Sequence, residues 1–177
     1  MLVEWAQEKM DGGLLYTILE RHQLLPPSLS DPRTCIMVAE MMSIGILHDG
    51  SDEPLALMIE SYPESGVVGL LFITEVPRLN QRRDELIEVS MELRKRWFDD
   101  FKAYRIESRI PVERTQTIRC LKHMGFKIET VPKCMRNGAV YNGKPKDLCM
   151  LSLLPSDPIH ELSNNQKEPI LLEGVEA

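Results

Sequence analysis

Apolar residues along this chain keep one spacing up to about residue 75 and another beyond it. Before that point they fall in three short runs, Met42–His48, Leu55–Ser61 and Gly66–Thr74, separated by Asp49-Gly50-Ser51-Asp52 and Pro63-Glu64-Ser65. Short runs bounded by turn residues predict strands, and connections this tight predict antiparallel neighbours. From Asn80 to Phe101 the apolar positions Leu86, Val89, Leu93, Trp97 and Phe101 recur every three or four residues, with Ile87 and Phe98 widening the stripe. That period predicts a long amphipathic helix, with Asn80 as its N-cap and Asp84 and Glu85 at the positive end of its dipole.

Tyr104–Val112 reads as a strand with Ile106 and Ile110 on one face and Arg105, Glu107 and Arg109 on the other. A second helix is expected from Thr115 to Met124, packing Ile118, Leu121 and Met124, with Gly125 as its left-handed end. Phe126–Val131 and Leu148–Leu154 are the last strands expected, and the Asn137-Gly138 and Asn142-Gly143 pairs mark turns between them. Upstream, residues 13–23 read as a short helix ended by Pro26-Pro27, followed by a turn-rich stretch to Arg33.

Composition narrows the picture. The 177 residues suit one domain, and an apolar share of 43% supports a packed core. A net charge of −6 excludes a protein that coats nucleic acid by bulk electrostatics, leaving at most a local patch at the Arg/Lys groups 82–83, 94–96 and 119–122. Met1-Leu2-Val3-Glu4-Trp5 lacks the basic-then-apolar pattern of a secretory signal, and no run approaches the roughly 18 apolar residues of a membrane span. The expected setting is cytoplasmic. Cys35, Cys120, Cys134 and Cys149 are scattered, so buried reduced thiols are expected rather than a zinc site. Residues 1–154 form the expected domain. The tail 155–177 is acidic, with Lys167 set against Asp157, Glu161, Glu168, Glu173 and Glu176, and its Ile170-Leu171-Leu172 island is a docking segment for a protein partner or a solvated end.

The order of elements, and above all the segment Arg114-Thr-Gln-Thr-Ile-Arg-Cys-Leu-Lys-His-Met-Gly125-Phe126, resembles the GNAT superfamily of N-acetyltransferases over residues 55–154. The resemblance implies an α/β fold: a mixed, mostly antiparallel sheet with a long and a short helix packed on it. It also implies a cleft between the central strands where the family binds acetyl-CoA. The family holds the pyrophosphate in a loop of pattern Gln/Arg-x-x-Gly-x-Gly/Ala before the long helix, where glycines let backbone N–H groups reach the phosphates. The corresponding stretch here is Arg78-Leu79-Asn80-Gln81-Arg82-Arg83, with bulky Gln81 and Arg83 at the two small positions. Many members also place a Tyr four residues before the Gly-Phe glycine to protonate the departing thiolate; Leu121 stands there.

Two functions follow from these departures. One is a non-enzymatic GNAT-like protein acting through protein contacts, similar to degenerate GNAT-like proteins of tailed bacteriophages that serve head assembly, internal virion or DNA-transfer roles. It has no cofactor, and its setting is the host cytoplasm and the virion. The other is an N-acetyltransferase acting on an unknown amine, with acetyl-CoA held by Val76, Arg78, Gln81, Arg82 and Arg83 and Glu75 as general base. Three arginines in six residues can bind an anion by side chain even where the glycines are missing.

Overall fold

A computed structural model describes residues 1–5, 12–21, 31–39, 42–48, 55–62, 66–74, 79, 82–129, 135–141 and 143–158. The three hairpin-linked runs form β2 (Met42–His48), β3 (Ala56–Ser61) and β4 (Val67–Thr74), antiparallel, with Ile44 opposite Ile59 and Ile59 opposite Leu71. β1 (Leu2–Trp5) adds to the free edge of β2, bringing Trp5 opposite Gly45. Four residues are too few to show an alternation, so the pattern did not predict it. Gly45 makes the seat, because a Cβ there would stand 2.9 Å from the Trp5 ring.

After β4 the chain crosses over through α3 (Arg83–Arg94) and returns as β5 (Arg105–Pro111), parallel to β4. α4 (Thr115–His123), β6 (Lys127–Ile128), β7 (Met135–Tyr141) and β8 (Lys144–Leu153) follow. β8 runs antiparallel to β5, and β6 and β7 both pair with β8. The order is β1-β2-β3-β4-β5-β8-β6, with β7 off that path. This is the mixed, mostly antiparallel sheet with a long and a short helix that the sequence implied.

Side chains alternate across it as a pleated sheet requires. Met58, Val68, Leu70, Phe72, Ile106, Ile110, Leu151 and Leu153 belong to the core beneath α3 and α4. Ile44, Ile59 and Ile73 point the other way, to Leu19 of α1 (Gly12–Arg21) and Cys35 of α2 (Pro32–Ala39).

Four expectations need correction. The long helix begins at Arg83 with Arg82 in the N-cap position, φ −104° and ψ 46°, and no side chain caps it; Asn80 lies outside the described residues. Its far end widens into a π-helical turn, Lys95–Asp100, which lays Arg96 and Trp97 over Glu60 of β3. There the Trp97 indole donates to Glu60 Oε1 at 2.5 Å, Arg96 donates to Oε2 at 3.3 Å, and the Tyr62 hydroxyl donates as well. Glu60 is fully buried, and a carboxylate in that position needs such partners.

The second correction is α2, which falls partly in the stretch read as turns. Pro32 opens this helix instead of ending one, since the first helical position has no hydrogen bond to lose, and Asp31 Oδ1 accepts from the Arg33 amide at 2.9 Å. Third, the region between the last two expected strands holds β7; of the expected Phe126–Val131 strand Lys127–Ile128 forms β6, and residues 130 and 131 lie outside the described residues. Asn137, at φ 47°, sits in a register irregularity inside β7, so the first Asn-Gly pair lies within a strand and not at a turn, and Asn142 of the second lies outside the described residues. Fourth, the start of the expected tail is tied down: Arg94 donates to the carbonyls of Pro155 at 3.1 Å and Asp157 at 2.8 Å, and Lys127 pairs with buried Asp157 at 2.5 Å. Ile170-Leu171-Leu172 lies outside the described residues.

Candidate functional site

The parallel ladder between β4 and β5 is short. Val67, Val68 and Gly69 pair with Arg105, Ile106 and Glu107, and there the ladder ends although both strands continue to Thr74 and Pro111. The buried Ser108 hydroxyl donates to the Leu70 carbonyl at 2.7 Å, substituting a side chain for the next ladder bond. Past this point the edges of β4 and β5 that face one another carry main-chain groups the ladder leaves unpaired. A gap in mid-sheet, floored by Phe72 and Ile110 on the α3/α4 side, is a place where an extended ligand can bond to strand edges.

Charge gathers where α3 begins, at the open end of this gap. Leu79 is buried completely and anchors the connection from β4. Asp84 and Glu85 occupy the first turn, and Arg82 Nε pairs with Glu85 Oε1 at 3.2 Å. Arg83 turns instead toward α4. Its Nε is buried and has no hydrogen-bond partner among the described residues. Burial holds the His123 imidazole below its usual pKa, and the nearby charges of Arg83, Arg119 and Lys122 press in the same direction. Four basic side chains thus gather between the α3 first turn, with Arg83, and the C-terminal half of α4, with Arg119, Lys122 and His123. Among the described residues no carboxylate pairs with Arg83, Arg119 or Lys122. In a chain of net charge −6, such a cluster makes a local positive patch.

The junction is held by packing that the sequence encodes. Ile118, Cys120 and Leu121 bury one side of α4, and the Ser90 hydroxyl of α3 donates to the Met124 carbonyl at 2.7 Å. Gly125 takes φ 94°, a left-handed conformation open to glycine, so the chain can turn into Phe126. Leu121 is fully buried and offers no proton. Burial raises the Cys120 thiol to about 12, which rules it out as a nucleophile at neutral pH.

On the opposite face β5 presents Arg105, Glu107 and Arg109, as its alternation predicts. Arg105 bonds Glu107 at 2.6 Å and also Glu129, and Glu129 accepts from Ser152 too. Hydrogen bonds from Ser152 and Arg105 hold the Glu129 carboxyl below its usual range.

Of the candidate residues read from the sequence, Arg82 and Arg83 stand at the α3 start, while Glu75, Val76, Arg78 and Gln81 lie outside the described residues. Sequence reasoning placed Arg119 and Lys122 in one of three local basic groups and gave His123 no part in it. Their convergence on Arg83 depends on how α3 crosses α4, and spacing along the chain does not carry that. Ser108, at an inward-facing position of a strand, was overlooked although a lone hydroxyl among isoleucines was the available signal. Among the described residues no group of His, Cys, Asp or Glu is arranged to hold a metal, and no helix is long and apolar enough to cross a membrane.

Compared with solved structures, the chain is similar to the spermidine N-acetyltransferase SpeG of Vibrio cholerae. A point mutant of that enzyme superposes with a TM-score of 0.62 at 12% identity, over 88% of this chain and 96% of the matched one. A chimera of it gives a TM-score of 0.61 at 11% identity, over 88% and 97%. The enzyme in complex with CoA and spermine gives 0.60 at 12% identity, over 88% and 96%. No family model matches the sequence, and no curated protein does. At this identity the likeness establishes the fold, which is that of the GNAT N-acetyltransferases. The bacteriophage subgroup and the virion role drawn from it find no support in these comparisons.

Proposed function

We propose that this protein is an N-acetyltransferase that takes its acyl group from acetyl-CoA and holds the phosphates by side chains in place of a glycine loop. The observation that carries this reading is the basic cluster of Arg83, Arg119, Lys122 and His123 at the end of a mid-sheet gap, with a buried Arg83 nitrogen that has no hydrogen-bond partner among the described residues. Charge-assisted contacts from arginine to phosphate are about twice as strong as neutral ones and need no close backbone approach. Bulky side chains at a glycine loop therefore do not argue against phosphate binding when they themselves supply the donors. The likeness to acetyltransferase structures over nearly their whole length, one of them with CoA bound, supports the same reading.

When bound, acetyl-CoA supplies a thioester carbon open to attack. The chain's part is to seat the phosphates at the α3/α4 junction, to align the extended arm between the parted edges of β4 and β5, and to exclude water with the core beneath. A buried leucine at 121 and a protonated thiol at 120 leave direct attack by the acceptor amine, with Glu75 or a water taking the amine proton. Leu121 is also the observation that favours the non-enzymatic reading, in which the same cleft serves protein contacts.

Incubation with acetyl-CoA and a panel of primary amines separates the two. Thiol release matched by acetylated product, at rates on the order of 1–10 per second, is expected for an enzyme. Its absence with every amine tested contradicts the proposal.

His123 adds a pH dependence. Its folded pKa lies below the ordinary 6.5, so in the free protein the imidazole is neutral at pH 7. A phosphate seated beside it favours the charged form, so binding takes up a proton and CoA affinity rises as pH falls from 8 toward 6. Calorimetric titrations at the two pH values check this. His123→Gln is expected to flatten the slope.

A further inference from the structure

Resting on the acetyltransferase reading, we infer that the acceptor is an amine that also carries a carboxylate, and that Arg109 binds that carboxylate.

The face of the sheet opposite α3 and α4 is where an acceptor reaches the gap without crossing the core. Two β5 residues frame the argument there. Glu107 is taken by Arg105 through Oε1 at 2.6 Å, and Glu129 is taken by Arg105 and by Ser152. Both carboxylates are thus already engaged, and a polycationic acceptor would have to break these bonds to be recognised. Arg109 is in the reverse state. It makes no hydrogen bond among the described residues, its nearest carboxylate oxygen, Glu107 Oε2, stands at 3.9 Å, and its side chain is 59% exposed. A guanidinium with its donors unused is a fork shaped for a carboxylate.

Its position is specific. Arg109 lies two residues past the last β4–β5 ladder pair, on the strand edge where the gap opens. On the same face of the sheet Tyr141, the last residue of β7, is half-buried against the cluster of Leu19, Cys35, Ile44, Ile59 and Ile73. Burial raises the Tyr141 phenol, and the charge of Arg109 partly opposes that rise. Arg109 comes from β5, and Tyr141 packs on a cluster that includes Ile73 of β4, so each belongs to or packs on one of the two strands that part at the gap. The phenol stays protonated at neutral pH and gives a second donor to a carboxylate oxygen.

The test compares L-amino acids with their methyl esters, which keep the amine and lose the anion, and with spermidine. The wild-type protein is expected to favour the acids over the esters by about tenfold to a hundredfold in kcat/KM, the worth of a hydrogen-bonded charge pair. Arg109→Ala should collapse that ratio to about one, and Arg109→Lys should restore part of it. A wild-type preference for spermidine or for the esters overturns the inference, as does an Arg109→Ala variant that keeps the ratio. Thermal melting at saturating CoA gives a readout independent of turnover: the acids, and not the esters, are expected to raise Tm, and Arg109→Ala should abolish the rise. If CoA raises Tm and no amine is acetylated, the enzyme reading fails on its own. The acceptor inference then stands or falls on whether the acids still raise Tm through Arg109.

Discussion

Replacing Trp97 by alanine is expected to lower the unfolding free energy by about 5 kcal/mol, which is roughly 10–20 °C in Tm for a chain of this size. Two losses add. Trp97 is completely buried and meets the Phe126 ring edge-on at a centroid distance of 6.3 Å, so truncation opens a cavity in the centre of the core. It also removes the indole donor from Glu60, a carboxylate with no access to water. Trp97→Phe separates the two, because it keeps most of the volume and deletes the N–H, and should cost about 2 kcal/mol. Urea unfolding followed by circular dichroism measures both. A Trp97→Phe variant as stable as the wild type would show that Arg96 and Tyr62 satisfy Glu60 by themselves.

Neutralising the basic junction should have the largest effect on ligand binding. The combined Arg83→Ala, Arg119→Ala and Lys122→Ala variant is expected to bind CoA at least about a hundredfold more weakly, from roughly 1.5 kcal/mol per charge-assisted contact with allowance for non-additivity. Its affinity should also depend less on salt, since fewer charges remain to be screened. Arg119 and Lys122 are exposed, so the fold should survive. The combined Arg33→Ala, Arg136→Ala and Lys144→Ala variant, which removes three exposed charges elsewhere, controls for the change in net charge. Equal loss in the two variants would locate the attraction in the molecule's overall field and not at the junction.

Much of this architecture was legible because its periodicities are strong and local. The alternation of Ile106 and Ile110 with Arg105, Glu107 and Arg109 placed β5 and both its faces, and the Ile118–Leu121–Gly125-Phe126 pattern placed α4 and its left-handed end. What escaped was non-local or ambiguous in sign. β1 is a strand because Gly45 leaves room for Trp5, a fact about another strand. Pro32 starts a helix and Asn137 sits in a bulge, yet both residue types also mark turns. The π-helical turn at Lys95–Asp100 keeps a helical sequence pattern, and only the pull of Glu60 on Trp97 and Arg96 distinguishes it.

The candidate site shows the same division. A motif defined by what it lacks, the two glycines before α3, argued for lost function. The side chains proposed to stand in for a glycine loop are Arg83 and, from a second helix 36 residues further on, Arg119, and their meeting point is a tertiary fact. Loss of a motif and loss of a site are different things. Here the sequence spoke to the motif alone.

Titration of CoA into the purified protein, read by calorimetry and by melting temperature, tests the side-chain phosphate seat most directly. Saturable binding is predicted, with CoA at 100 times its Kd adding about 2.7 kcal/mol of stability and several degrees of Tm. An unchanged Tm and no heat at millimolar CoA would contradict it.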